Sequence, residues 1–294
     1  MLERIQKYRR DLHQIPELEL ELPKTQRYLQ EALRDLPCTL SSPIPSSVVA
    51  FFDAGKKESI AFRSDMDALP VTEATGRAFA SRHTGCMHAC GHDGHMAMLL
   101  EFAHQLSTYY KELPHNVVLI FQPGEETPGG AEPMCKSGIF EQYHIKRIFG
   151  FHVWPMLDKG VIATRRNEFM ARSSEVNIDI TGKSAHAAKY QEGIDAMEIA
   201  ARYLLDLYTM EQEELSAETY RLLRFGLLKS GTVRNVVSNA ARMEGTLRAF
   251  QDETYQYMKK RMLELAKPYE EQGAVFSFDI NTGYPAVKIG RAHV

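Results

Sequence analysis

A chain of 294 residues with 44% hydrophobic and 25% charged residues has the composition of a globular protein, which excludes a disordered or fibrous one. Its formal net charge of -3 offers no general positive field to a nucleic acid or to an anionic membrane, so we expect neither as a partner. We expect a small-molecule substrate instead.

The N-terminal segment is charged throughout and has no apolar stretch followed by a cleavage site. No run of the sequence approaches the roughly 18 apolar residues that a membrane span needs. The four cysteines, Cys38, Cys86, Cys90 and Cys135, are too few for a disulfide scaffold in a chain of this length. These features predict a cytoplasmic protein, in which a cysteine close to histidines indicates metal binding or catalysis.

The first 171 residues alternate predicted helices with short apolar strands. The predicted helices cover the N-terminal stretch, 23–36 and 91–110, and the predicted strands cover 48–53, 60–63, 116–122, 147–153 and 160–164. The strand at 116–122 is continuously apolar at its centre, which is typical of a strand buried on both faces. This order predicts an α/β domain with a mostly parallel sheet.

The pattern changes near residue 172, where alternating residues predict a strand with one face in water. The predicted elements that follow have the order β-α-β-β-α-β, which is typical of a ferredoxin-like module. They cover 174–181, 193–210, 225–234, 242–250, 252–271 and 274–281. We therefore predict a first domain over 1–171, a second domain over 172–282, and a return to the first domain at 283–294.

Cys90 and His92 lie in the segment MHACGHDGH, directly before a long predicted helix. The glycine between them permits a tight backbone, so a thiolate and an imidazole can ligate one divalent ion. We expect the helix N-terminus to favour the thiolate of Cys90, and His95 to share a helix face with His92. A surface histidine cluster beside a buried cysteine is the alternative at this point.

Acidic residues and a histidine follow three other predicted strands. Glu125 and Glu126 follow the apolar strand, His152 lies at the end of the next one, and Asp65 and Asp67 lie just beyond a third. Seen alone, the acidic residues could be solvated turn residues, and His152 could be a core histidine. Because ligands bind at the carboxyl ends of strands in open α/β sheets, their convergence there predicts a metal site.

Six segments occur in the order and with the spacing of one known family: RSDMDALP, MHACGHDGHMA, FQPGEE, GFHVWP, TGKSAHAA and GTLRAF. From Ile5 to Val287 the chain resembles the aminoacylase/hippurate hydrolase family of dinuclear metallo-amidohydrolases. The most similar branch contains auxin-conjugate hydrolases and N-acetyldiaminopimelate deacetylases. The resemblance implies a metallopeptidase-like catalytic domain with an inserted ferredoxin-like lid and dimerisation domain.

The resemblance also implies the chemistry of the site. Cys90, His92, Glu126 and His152 would be ligands of two divalent ions per subunit, which could be zinc, manganese, cobalt or nickel. Glu125 would be the general base that takes a proton from a metal-activated water and returns it to the leaving amine. The implied reaction is hydrolysis of the amide bond of N-acyl amino acids, N-acetyl ones among them, to a carboxylic acid and a free amino acid.

Further residues are matched by the resemblance at other positions. Asp65 and Asp67 lie where relatives outside this branch have a ligand histidine and its orienting aspartate, so we expect Asp67 to assist catalysis and Asp65 to support the ligands. His186, Asn235 and Arg248 match residues that reach the substrate from the smaller domain. The resemblance implies that they hold its carboxylate or the developing oxyanion, in a homodimer formed through 172–282.

The end of the sequence departs from the family pattern. In the family the chain returns from the small domain, completes the catalytic domain and supplies a fifth metal ligand, a histidine. Here 283–287 marks the return, whereas 288–294 reads like a translated sequencing adapter. We expect 288–294 to be artefactual, the catalytic domain to be truncated, His293 not to be the fifth ligand, and the chain as given to be weakly active or inactive.

Two other functions stay open on the sequence alone. One is a dipeptidase or an aminoacylase with another acyl preference, and the other is a metal-binding relative that has lost catalysis. The adjacent Glu125 and Glu126 argue against loss of catalysis. The segment at 129–134 resembles the N-acetyldiaminopimelate branch, but SAHAAK at 184–189 departs from the usual pattern of that branch.

Overall fold

The computed structural model describes residues 1–289. The chain divides into two compact units, the first spanning Met1–Val161 and the second beginning at Ile162. The finer division into 1–171, 172–282 and 283–294 stays a prediction. Residues 290–294, which make up most of the segment 288–294 that we expect to be artefactual, lie outside the described residues. Within 1–289, no helix combines the length and the apolar character that a membrane crossing requires.

Helices and strands alternate along the first unit as predicted. Its elements are α1 (Leu2–His13), α2 (Pro23–Leu33), β1 (Thr39–Ser41), β2 (Val48–Phe52), β3 (Ser59–Asp65), α3 (His92–Leu106), β4 (Asn116–Gln122), α4 (Ala131–Lys136), α5 (Ile139–Gln142) and β5 (Ile145–Gly150). The predicted strand at 116–122 coincides with β4, and all seven of its residues are buried. A continuous apolar run surrounded on both faces explains why this strand was the easiest to predict.

Strands β1 to β5 form one sheet in the order β1-β2-β4-β3-β5. β3 pairs in parallel with both β4 and β5, whereas β2 pairs antiparallel with both β1 and β4. The α/β fold class is thus confirmed, but the sheet is mixed rather than mostly parallel. β1 and β2 are joined by a short connection, which allows antiparallel pairing, whereas a parallel pair needs a longer crossover such as the one through α3.

Side chains of this sheet alternate between two apolar cores. Val117, Leu119 and Phe121 of β4 pack with residues of the helices α1, α2 and α3. Val118 and Ile120 of the same strand pack with residues of α4 and α5 on the other face. The sheet therefore lies between two helical layers, and the loops at its carboxyl edge are left to carry polar residues.

The second unit contains a four-stranded antiparallel sheet and two long helices. Its elements are β6 (Asn167–Met170), β7 (Arg172–Thr181), α6 (Ala196–Glu213), β8 (Arg221–Ser230), β9 (Ala240–Ala249), α7 (Asp252–Glu270), β10 (Val275–Ile280) and β11 (Val287–Ile289). The sheet order is β10-β7-β9-β8, and from β7 to β10 the elements follow β-α-β-β-α-β. The predicted ferredoxin-like arrangement is confirmed.

One predicted strand is wrong. The run at 160–164 has no regular structure, and the strand in this region is β6, which pairs antiparallel with β11. β-branched residues favour a strand only where a neighbouring strand can accept its backbone hydrogen bonds. Val161 and Ile162 are 52% and 83% exposed, so this run also lacks the burial that would stabilise it.

Candidate metal centre

Four chain segments meet at the carboxyl edge of the first sheet. The register pairs Asp65 at the end of β3 with Gln122 at the end of β4, so the loops that follow these two strands begin side by side. The loop after β5 carries His152, and the turn before α3 carries Cys90 and His92. The sequence-predicted convergence at this edge is therefore what the structure shows.

The turn before α3 depends on a glycine. Gly91 precedes the helix with a φ of 97°, a left-handed conformation that side chains with a Cβ disfavour. A Cβ at this position would lie 2.6 Å from Cγ2 of Val153. Both constraints keep the backbone of Cys90 and His92 close to the loop that follows β5.

The metal-ligand side chains form overlapping groups around His92. One group contains Cys90, His92 and His152, a second contains His92, Glu125 and Glu126, and the ligand atoms of each group lie within 4.8 Å of one another. Nε2 of His92 is 3.8 Å from Oε2 of Glu125 and 3.8 Å from Oε1 of Glu126. Sγ of Cys90 is 3.3 Å from Nε2 of His152.

The two candidate ligand histidines have matching hydrogen-bond patterns. Nδ1 of His92 donates to the backbone oxygen of Asp67 at 2.8 Å, and Nδ1 of His152 donates to the backbone oxygen of Val153 at 2.7 Å. In both rings the proton is therefore on Nδ1, and the lone pair of Nε2 is directed at the cluster. A backbone carbonyl that orients the far nitrogen in this way is typical of metal-binding histidines.

Buried polar atoms in the cluster fit a divalent cation. In the described part of the chain, Nε2 of His92 and Oε1 of Glu126 are buried without a hydrogen-bond partner. Burying such atoms without a partner costs free energy, and a cation would remove that cost. The donor set of thiol, imidazole and carboxylate suits zinc and other borderline ions.

The charges of the cluster also favour a cation. Burial, followed by the neighbouring carboxylates of Glu126 and Glu125, raises the pKa of the Cys90 thiol to about 12. The expectation that the helix N-terminus favours the thiolate is therefore wrong for the metal-free protein, because desolvation and negative neighbours outweigh the helix. A bound divalent ion reverses this balance, since a coordinating thiol loses its proton. Burial and the charge of Glu126 also raise the pKa of Glu125.

Asp65 lies beside the candidate ligand His92, and its supporting role stays a prediction. Its carboxylate accepts a hydrogen bond from Nδ1 of His95 at 2.7 Å and one from Nη1 of Arg63 at 2.8 Å. Burial alone would raise the pKa of Asp65, but these two partners hold it well below its usual range. Asp65 is therefore ionised at neutral pH, and its Oδ2 lies 3.7 Å from Nε2 of His92.

Asp67 is buried and joins two parts of the site. Its two carboxylate oxygens accept hydrogen bonds from the backbone nitrogens of Glu125 and Glu126, at 2.8 and 2.9 Å. Its backbone oxygen accepts the hydrogen bond from His92 described above. Asp67 thus fixes the turn that carries both glutamates, and it also orients a candidate metal ligand.

The three residues predicted to reach the substrate belong to the second unit. His186 and Asn235 are neighbours, because the backbone nitrogen of Ala187 donates to the backbone oxygen of Asn235 at 3.0 Å. Arg248 lies on β9. All three side chains are exposed. Their contact with a substrate stays a prediction.

A second buried polar network was missed by the sequence reasoning. Nδ1 of His13 is 2.8 Å from Oδ2 of Asp93, and Nε2 of His13 is 3.3 Å from Oε1 of Glu73. The position of Asp93 between two motif histidines was a usable signal. His13 gave none, because it lies 80 positions from Asp93 and ends a helix whose spacing indicates only an apolar face.

A family model described as Peptidase family M20/M25/M40 matches residues 61–281. The fold and the cluster of ligand side chains define a metal-dependent hydrolase. The chain belongs to peptidase family M20/M25/M40.

Several relatives are similar to the chain over nearly its whole length. An uncharacterized hydrolase of Staphylococcus epidermidis is 37% identical over 268 residues, which are 90% of this chain and 70% of the relative. A solved structure from methicillin resistant Staphylococcus aureus has a TM-score of 0.89 at 30% identity and covers 97% of this chain and 74% of that one. The Bacillus subtilis YXEP protein, described as a dinuclear metal binding peptidase from the M20 family, has a TM-score of 0.82 at 31% identity, with coverages of 97% and 75%.

Proposed function

We propose that this protein hydrolyses the amide bond of N-acyl amino acids with two divalent ions bound at the candidate centre. The observation that carries the proposal is the different exposure of two adjacent carboxylates. The side chain of Glu126 is 25% exposed and has an unpartnered oxygen towards His92, whereas the side chain of Glu125 is 41% exposed. This difference supports Glu126 as a ligand of an ion and Glu125 as the group that exchanges protons with a substrate.

In this proposal Cys90, His92, Glu126 and His152 hold the ions, which are zinc, manganese, cobalt or nickel. The dinuclear metal binding described for the Bacillus subtilis relative supports a centre with two ions. The chemistry that such ions supply when bound is polarisation of the scissile carbonyl and activation of water.

The carboxylate of Glu125 does the proton transfer. It accepts a proton from water as the oxygen of that water adds to the acyl carbon, and it returns the proton to the nitrogen as the C–N bond breaks. The products are a carboxylic acid and an amino acid with a free amine. Asp67 supports this step because its carboxylate accepts a hydrogen bond from the backbone nitrogen of Glu125 and so keeps Glu125 in place.

The substrate side of the proposal uses the second unit. His186, Asn235 and Arg248 would hold the substrate carboxylate or the oxyanion, in a cytoplasmic homodimer formed through 172–282. We propose N-acetyl amino acids first, with N-acetyldiaminopimelate among them. The motifs in the sequence support this choice, whereas dipeptides and other N-acyl groups remain the alternative substrates.

Replacing Glu125 with Gln tests the proposed base. In the full-length protein we expect hydrolysis of N-acetyl amino acids to fall by about 10²–10⁴-fold, because the amide cannot accept the proton. Binding of Zn²⁺, measured by calorimetry, should stay as in the wild type. The replacement Glu126→Gln should instead weaken Zn²⁺ binding.

The exposed Glu112, the last residue of the short 3-10 helix Tyr110–Glu112 that precedes β4, provides a matched control, and Glu112→Gln should change neither quantity. Near-normal turnover in the Glu125→Gln variant would show that another group is the base. A full-length wild-type protein that binds Zn²⁺ but cleaves no N-acetyl amino acid, N-benzoyl amino acid or dipeptide would favour a metal-binding relative without catalysis.

A further inference from the structure

We propose that His95 is a positioning residue that holds the segment carrying His152 against the metal centre, an inference that rests on the proposed function. His95 lies on the first turn of α3 and is 3% exposed. Its ring centroid is 4.6 Å from that of His152 and 5.5 Å from that of His92. By distance alone His95 could be a third ligand histidine, since it forms a candidate group with Asp65 and His92.

The hydrogen bonds of His95 decide between these roles. The backbone nitrogen of Val153 donates to Nε2 of His95 at 2.9 Å. A backbone nitrogen can only donate, so Nε2 must be the acceptor and the ring proton must be on Nδ1. Nδ1 then donates to Oδ1 of Asp65 at 2.7 Å. Both ring nitrogens of His95 are therefore used within the protein.

This pattern separates His95 from the two candidate ligands. In His92 and His152, Nδ1 bonds to a backbone oxygen and the lone pair of Nε2 faces the cluster. In His95 the lone pair of Nε2 is occupied by Val153, the residue that follows His152. The role of His95 is thus to fix the place of a ligand rather than to be one.

The segment of His152 needs such a fixed point. The last pair of the ladder between β3 and β5 joins Arg63 with Gly150, so His152 and Val153 lie beyond it. β5 is also one of the two edge strands of the sheet among the described residues. The hydrogen bond from Val153 to His95 therefore joins this loop to the helix whose first residue is His92.

The hydrogen bonds of Asp65 strengthen the connection. Its carboxylate accepts a hydrogen bond from Nδ1 and is itself held by Arg63, which fixes the ring of His95 in one orientation. A carboxylate on the far nitrogen also makes Nε2 a better acceptor for the Val153 amide. The resulting chain of contacts runs from Arg63 through Asp65 and His95 to the backbone next to His152.

Two replacements of His95 separate its two hydrogen bonds. The carboxamide of Gln reaches the position of Nε2 and can still accept from Val153, whereas that of Asn reaches only the position of Nδ1 and can donate to Asp65. We expect His95→Asn to weaken binding of Zn²⁺ alone by about 10–100-fold, the usual loss when a group that orients a ligand is removed. His95→Gln should bind Zn²⁺ much as the wild type does.

A second measurement reports on the hydrogen bond without any metal. In the metal-free full chain, exchange of the Val153 amide hydrogen, followed by NMR, should be faster in His95→Asn and close to wild type in His95→Gln. The control is His104→Gln on the same helix, because His104 bonds to the hydroxyl of Tyr8 and lies away from the cluster. This control should change neither Zn²⁺ affinity nor exchange at Val153.

Each outcome decides the proposal. An unchanged exchange rate at Val153 together with an unchanged Zn²⁺ affinity in His95→Asn would overturn it. Equal losses of affinity in both variants, with normal exchange at Val153, would overturn it as well and indicate that His95 is a ligand. If the wild type binds no Zn²⁺, the proposed function fails, and the exchange rates alone confirm or overturn the hold on Val153.

Discussion

Two groups of charged residues, one in each unit of this chain, differ in their burial. In the first unit Asp65, Asp67 and His92 are at most 1% exposed, and they meet at one edge of the sheet. In the second unit Arg242 pairs with Asp179 at 2.8 Å, but these two side chains are 44% and 52% exposed. Buried charges cost free energy unless they are paired or bind a cation, whereas exposed pairs cost and contribute little. The difference indicates that the first unit carries the chemistry.

The stability of the second unit comes from a different source. Tyr203, Leu207, Met243 and Met258 are fully buried in one apolar cluster between its sheet and its helices. Close packing of such side chains makes their removal costly. The comparison therefore predicts that apolar changes in this core lower stability without changing metal binding, whereas polar changes at the candidate metal centre lower metal binding.

Leu207→Ala should have the largest effect on stability. Leu207 is fully buried, so the free energy of unfolding should fall by about 2–5 kcal/mol through lost burial and a new cavity. Leu205 lies on the same helix and is 64% exposed. Leu205→Ala should therefore change the free energy of unfolding by less than about 0.5 kcal/mol. Urea unfolding measures both. Similar losses in the two variants would contradict the description of this core, and Zn²⁺ affinity should be unchanged in both.

Asp67→Ala should come next, and it affects both stability and binding. It leaves the backbone nitrogens of Glu125 and Glu126 without their partner, which should lower the free energy of unfolding by about 2–4 kcal/mol. Zn²⁺ affinity should fall too, because the turn that carries Glu126 is released. Asp179→Ala, which removes an exposed carboxylate from the second unit, should leave the unfolding curve and Zn²⁺ affinity close to wild type. Equal effects of the two replacements would remove the contrast between the units.

The network of His13 should give a smaller, pH-dependent effect. The hydrogen bond to Asp93 raises the pKa of His13, so its contribution to stability is fully present below the unfolded pKa of about 6.5. The contribution is lost as the pH rises through the folded pKa, which lies above that value. We expect the free energy of unfolding of the metal-free wild type, measured with urea, to exceed that of His13→Gln by about 1–2 kcal/mol at pH 6. The difference should be smaller at pH 9. A difference that stays constant with pH would show that His13 is not charged in the fold.

The sequence was sufficient for the parts of the fold that local patterns determine. The apolar run of β4 has the same bounds in the sequence reasoning and in the structure. Cys90, His92 and the pair of glutamates could be brought together from the sequence because each lies next to a strand end or a helix start. A parallel arrangement of β3, β4 and β5 places such positions at one edge whatever their separation along the chain.

Contacts between distant residues could not be predicted in this way. The hydrogen bonds from Glu125 to Asp67 and from Val153 to His95 each join residues 58 positions apart. Nothing near Asp67 in the sequence indicates that its carboxylate binds backbone amides rather than a substrate. The antiparallel placing of β2 beside β4 has the same cause, because pairing partners are chosen by the whole sheet.

Gly91 has a consequence for how this protein can change over generations. Every missense change in a glycine codon adds a Cβ, and here that atom meets both a left-handed backbone and a methyl group of Val153. Gly76 also has a positive φ, but no atom lies within 4 Å of the place of its Cβ, so Asn or Asp is tolerable there. Amino acid changes at position 76 are therefore compatible with the fold, whereas any missense change at codon 91 strains the turn that carries Cys90 and His92.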